Sequence, residues 1–164
     1  MHPDLEPLAF LLGTWRGEGT GEYPTIRSFG YGIETTFGHT GKPFLTYGHR
    51  TRSTEDGRAL HTESGYWRVL PPDPATDAVA RLEVVIAQPT GIAEVLLGQA
   101  MADGDGVRVS LSCDHLLLSP TAKDVRSLAW HLHWDGGDEI HERQAMAAVG
   151  RPLTHHLSAT LRRT

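Results

Sequence analysis

The sequence predicts an all-β fold: an antiparallel up-and-down β-barrel of about ten strands behind one short N-terminal helix. Three observations carry the prediction. After Gly13 the chain runs as short alternating segments, roughly 13–22, 26–37, 43–52, 58–69, 79–88, 91–101, 107–118, 124–134, 138–148 and 153–162, with the period of two of half-buried strands. The separators are turn formers: "HTGKP" (39–43), "EDG" (55–57), "ADGDG" (102–106) and "DGG" (135–137). No second helical period, internal repeat or composition shift interrupts the series, so one domain spanning 1–164 is expected. Hairpin-linked strands close into a barrel, and at this strand number a barrel encloses a cavity.

The elements follow in order. "PDLEPLAFLLG" (3–13) has Asp4 as a candidate cap, apolar Leu5, Leu8, Leu11 and Leu12, and Gly13 as a stop, which makes a helix of two to three turns. In the first strand Gly13, Gly17, Gly19 and Gly21 alternate with larger side chains. Glycine there lets a strand coil sharply or another backbone come close. Trp15 is expected to point inward and plug the closed end, with an indole N–H that needs a partner. The longest loop, "PPDPATD" (71–77), carries three prolines, which no central strand accommodates.

Composition narrows the function classes. A formal net charge of -5 and a pI near 6.0 give no basic face for nucleic acid. No apolar run reaches membrane-spanning length, and no basic region followed by an apolar stretch marks a secretory leader. A lone cysteine, Cys113, suits a reducing compartment, so a cytoplasmic protein is expected. Asp114 and His115 follow Cys113 directly, but strand neighbours face opposite sides and make no nucleophilic triad. Ten histidines raise the prospect of a metal or haem. There is no close-spaced zinc-type ligand set and no C-x-x-C-H for covalent haem.

"GTWRGEG" (13–19) followed by "GEYPTI" (21–26) resembles the nitrobindin family. A bare G-x-W is shared with lipocalin-like barrels, but the longer run is far more specific. The resemblance continues in order through "SFGYGIETTFGHTGKPFLTY" (28–47), "LHTESGYWR" (60–68), "EVVIAQPTGIAEV" (83–95) and "RPLTHHLSATL" (151–161). It implies a fatty-acid-binding-protein-like (calycin-like) barrel and haem b, hence iron, held by one histidine. It also implies NO binding and isomerisation of peroxynitrite to nitrate at ferric iron. Small molecules are then the expected partners, with neither nucleic acid nor a membrane; oligomeric state is left open. The alternatives are a non-catalytic haem or NO carrier or sensor, and a haem-free lipid-binding barrel.

The resemblance places the axial histidine at His156, in "THHLSATL". Strict alternation disagrees. It groups His155 with Leu153, Leu157, Ala159 and Leu161, and leaves His156 on the opposite face. A bulge just after Pro152 would reverse that facing. The resemblance further implies that His61, Leu60, Gln88 and Met146 line the pocket and that Thr25 and Ile26 sit against the haem. For the anionic propionates it implies Lys123, with Lys42 and Arg27 as alternatives. His39 lies by a hairpin, as a loop residue or haem neighbour, while His131, His133 and His141 are expected to be exposed.

Overall fold

The protein is described by a computed structural model over residues 1–71, 73–114 and 116–164. Pro72, in the expected proline-rich loop, and His115, beside Cys113, lie outside the described residues.

Pro3–Leu11 is a 3₁₀ helix, in which side chains three apart eclipse one another. Leu5, Leu8 and Leu11 therefore share one face, and all are fully buried. The cap is His2 and not Asp4: the helix begins at Pro3, and the His2 ring accepts the Asp4 N–H at 3.3 Å.

The strands are β1 (Gly13–Tyr23), β2 (Ile26–His39), β3 (Phe44–Ser53), β4 (Ala59–Leu70), β5 (Ala78–Gln88), β6 (Ile92–Asp103), β7 (Gly106–Cys113), β8 (Leu116–Leu118), β9 (Val125–Trp134), β10 (Glu139–Ala148) and β11 (Thr154–Arg163). Neighbours run β5-β4-β3-β2-β1-β11-β10-β9-β7-β6, and a β5–β6 ladder closes the circle. Ten strands thus form a closed antiparallel barrel. The expected strand 107–118 is split. Leu97 pairs with Ser112 on β7, whereas Glu94 pairs with Leu116 on β8, so β8 continues the same ladder on β6 one residue out of step.

The first strand shows what its glycines do. Trp15, Gly17, Gly19, Gly21 and Tyr23 face inward, while Arg16, Glu18, Thr20 and Glu22 are exposed. Gly19 lies opposite Tyr31 and Gly21 opposite Phe29. A Cβ at Gly19 would stand 2.5 Å from the Tyr31 ring, and one at Gly21 2.3 Å from the Phe29 ring. The missing side chains make room for the aromatic rings of the next strand. Trp15 closes the floor as expected: it is fully buried and its indole N–H donates to the Leu11 carbonyl at 2.7 Å. The Arg163 guanidinium covers the ring at 4.3 Å and donates to the Phe10 and Leu12 carbonyls.

Candidate functional site

Up-and-down topology puts the β1–β2 turn, the start of β4, the β5–β6 turn, β8, the start of β9 and the β10–β11 turn at one end of the barrel, opposite the helix. Thr25, Ile26, Leu60, His61, Gln88, Lys123, Met146 and His156 all belong to those segments. The residues are scattered in sequence, and the barrel gathers them at one mouth. Within it they differ. Leu60, His61, Gln88, Met146 and His156 are partly buried, whereas Thr25, Ile26 and Lys123 are exposed. His39 and Lys42 sit at the β2–β3 hairpin at the floor end, away from the other residues of the set. Arg27, at the start of β2, is at the mouth and exposed. His131 and His141 are exposed, as expected, while His133 is partly buried and bonds Asp103 at 3.1 Å.

His156 owes its position to a bulge. On the β10–β11 ladder Gln144 pairs with Leu157 and Ala145 with His155, so His156 is an extra, unpaired residue. Simple alternation would have sent His155 inward, but the insertion leaves His155 exposed, 4.0 Å from Glu22. The His156 Nδ1–H donates to the Glu22 carbonyl at 3.0 Å, and among the described residues nothing hydrogen-bonds its Nε2. Tyr23 meets the ring edge-on at 5.5 Å. The Tyr23 hydroxyl accepts the Ala148 N–H and lies 3.2 Å from the Met146 and Ala148 carbonyls, which ties the end of β10 to β1. Burial lowers the His156 pKa; the Glu22 carbonyl opposes the shift, and the charges of His155, His61 and Lys123 add to it. The ring is therefore neutral at pH 7, its tautomer fixed by Nδ1 and its Nε2 lone pair open, which is what a metal ligand requires.

Beneath the mouth lies a polar layer that the sequence analysis did not single out. Glu63 accepts from the Tyr47 hydroxyl and from His61 Nε2–H, each at 3.0 Å. Glu94 accepts from Gln88 at 2.7 Å, and Glu142 from the Trp130 indole at 3.3 Å. Burial, reinforced by the Glu63 charge, pushes Glu94 up to about 7. Burial also takes Glu142 to about 7, against the Trp130 bond and with the Glu63 charge. Burial pushes Glu63 up too, but the His61 bond, the His49 and His61 charges and the Tyr47 hydroxyl outweigh it and leave Glu63 below the usual value. A cavity of about 40 Å³ opens between Glu63, Gln88, Glu94, Trp130 and Gln144. A larger groove of about 330 Å³ runs over Glu18, Thr20, His141 and Arg143, whose side chains are exposed, and touches Glu142 but neither Glu63 nor Glu94. Parity on the strands would have found the carboxylates: Glu63 is four residues from Trp67, Glu94 lies between Ile92 and Leu96, and Glu142 follows Ile140, all inward positions.

The family described as "THAP4-like, heme-binding beta-barrel domain" matches residues 4–163. The chain belongs to this family. Among relatives of the haem-binding barrel, "Peroxynitrite isomerase" of Nocardia farcinica is 49% identical over 164 residues, 99% of this chain and 92% of that one. "Peroxynitrite isomerase 1" of Mycolicibacterium paratuberculosis is 47% identical, across 99% and 96% of the two chains. The crystal structure of Rv2717c from M. tuberculosis superposes with a TM-score of 0.91 at 44% identity, covering 100% of this chain and 99% of that one. The residues present fit the family's group. The mouth offers a neutral histidine with one open nitrogen, and around it Ile26, Val149 and Leu153 are 45%, 45% and 54% exposed, apolar surface of the kind a flat hydrophobic ligand would cover.

Proposed function

We propose that the chain binds haem b at the barrel mouth through His156 Nε2, binds NO there, and isomerises peroxynitrite to nitrate at the ferric iron. The observation that carries this reading is the bulged His156: Nδ1 is committed to the Glu22 carbonyl and Nε2 is open. The relatives named peroxynitrite isomerase, nearly full-length and close to half identical, support the reaction.

The haem would supply an iron with one open coordination position for an anionic or diatomic ligand. The chain's own residues do the rest. His156 holds the group and is itself oriented by Glu22 and Tyr23. Leu60 and Met146 give apolar walls, and Thr25 and Ile26 border the entrance at the β1–β2 turn. Gln88 and His61 supply the polar edge of the pocket. Lys123 is the cation for the propionates: it is exposed, has no ion pair among the described residues, and its charge reaches His156. No side-chain nucleophile or general base is required.

The test is hemin reconstitution of the protein beside His156→Ala and His155→Ala, read by absorption, followed by peroxynitrite decay and nitrate yield by stopped flow. A Soret band lost only in His156→Ala, and decay accelerated by the parent alone, is the expected result. A normal band in His156→Ala would sink the ligand assignment. Uptake of hemin with no acceleration would leave a carrier or sensor.

A further inference from the structure

Glu63 is a puzzle for stability. A carboxylate inside an apolar barrel costs free energy unless fully paired, and well-packed apolar side chains in its place are often no less stable. Here two donors meet its two oxygens: Tyr47 O–H on Oε2 and His61 Nε2–H on Oε1, each at 3.0 Å. Tyr47 is itself locked among Phe37, Trp67 and Trp130, with ring centroids 5.5, 6.4 and 5.9 Å away. The carboxylate is thus held rigidly from below. Above it, His61 is 30% exposed, and its charge acts on His156, so the two imidazoles share the mouth.

We propose that Glu63 is a positioning residue that acts through His61: its carboxylate pairs with the Nε2–H of the His61 imidazolium and so turns the ring's Nδ1–H toward small anions bound in the chamber of His156. This rests on the haem reading above. The carboxylate fixes one N–H of the imidazolium and His61 presents the other as a donor, much as outer carboxylates orient metal-binding histidines. Glu63 touches no ligand itself. Neither Glu94 nor Glu142 takes this part, because their bonds run to Gln88 and Trp130.

The probe is azide titrated into the hemin-loaded ferric protein, read by the Soret shift. His61→Leu is expected to weaken azide about tenfold, and Glu63→Leu by a similar factor. The double variant should again lose about tenfold and not the roughly hundredfold of independent sites. Glu63→Gln, which keeps an acceptor for the ring N–H and fills the same space, should recover part of the affinity. Multiplying effects, or an unchanged affinity in Glu63→Leu, would overturn the proposal. The apoprotein supplies a second reading that needs neither haem nor the leucine variant to fold. A protected imidazole N–H resonance of His61 is expected in the parent and in Glu63→Gln, and its absence from the parent overturns the proposal on its own. A parent that shows this resonance but takes up no hemin would overturn the haem reading and the ligand role of His61 with it.

Discussion

At the floor of the barrel Leu5, Leu8, Leu11 and Trp15 are fully buried, and the one polar atom of Trp15 is bonded to the backbone. At the mouth Ile26, Val149 and Leu153 stand about half exposed around a histidine with an unused nitrogen. The backbone differs in the same sense. The floor is covered by the 3₁₀ helix Pro3–Leu11, whereas the mouth holds a bulge at His156 and a β-branched residue, Val149, at φ 48. Such a conformation is sterically costly and persists only where its surroundings impose it; here the Val149 N–H is tied to the Asp124 carbonyl at 2.9 Å. The contrast is between an end packed for stability and an end that leaves apolar surface and a histidine accessible.

The strongest way to break the contrast is to remove one residue from each end. His156→Ala should abolish stable hemin loading, while the urea stability of the apoprotein moves by less than about 1 kcal/mol, as for a half-exposed position. Trp15→Ala should do the opposite. It should cost about 3–5 kcal/mol of apoprotein stability, as large core truncations do, and the folded fraction should still show a Soret band. A His156→Ala protein that unfolds, or a Trp15→Ala protein that folds but takes no hemin, would merge the two roles.

The floor was legible in the sequence and the mouth only in part, for a physical reason. Alternation along β1 and the threefold spacing of Leu5, Leu8 and Leu11 are local signals. Trp15 and the barrel follow from them, although the tighter helix and its His2 cap do not. The gathering of Leu60, Gln88 and Met146 with His156 depends on ring closure, which no local pattern contains. At His156 the local pattern misled, because one inserted residue reverses the facing of a strand. For His39 and Lys42 the alternatives stayed open, because a hairpin loop in the sequence carries no mark of which end of the barrel it occupies; the structure puts both at the floor end.

Between floor and mouth, the buried carboxyls tie stability to pH. Unfolded, Glu94 and Glu142 ionise near the usual 4.5; folded, burial holds each near 7. Across that window the native state keeps protons that the unfolded chain has released, so each group subtracts stability as pH rises from about 4.5 to about 7, and the loss is complete above it. Glu63, held below the usual value, has the opposite sign: its contribution is present above about 4.5 and fades in acid. Glu142→Gln should therefore gain about 1–3 kcal/mol at pH 8 and little at pH 5 in apoprotein urea melts. An equal gain at both pH values would mean that Glu142 is not protonated in the native state.

The smallest effect belongs to the exposed cations, and it locates the anionic edge of the ligand. Lys123 and Lys42 are both exposed lysines, one at the mouth and one in the floor-end hairpin. An exposed pair between Lys123 and a propionate is worth no more than about 1 kcal/mol, so Lys123→Ala should weaken hemin binding about two- to fivefold at low ionic strength. Near 1 M salt, where screening shortens to about 3 Å, parent and variant should converge. Lys42→Ala should match the parent at every salt concentration, because its charge sits at the other end of the barrel. A salt-sensitive loss in Lys42→Ala and none in Lys123→Ala would put the anionic edge of the ligand at the floor end of the barrel and overturn the placement of the site at the mouth.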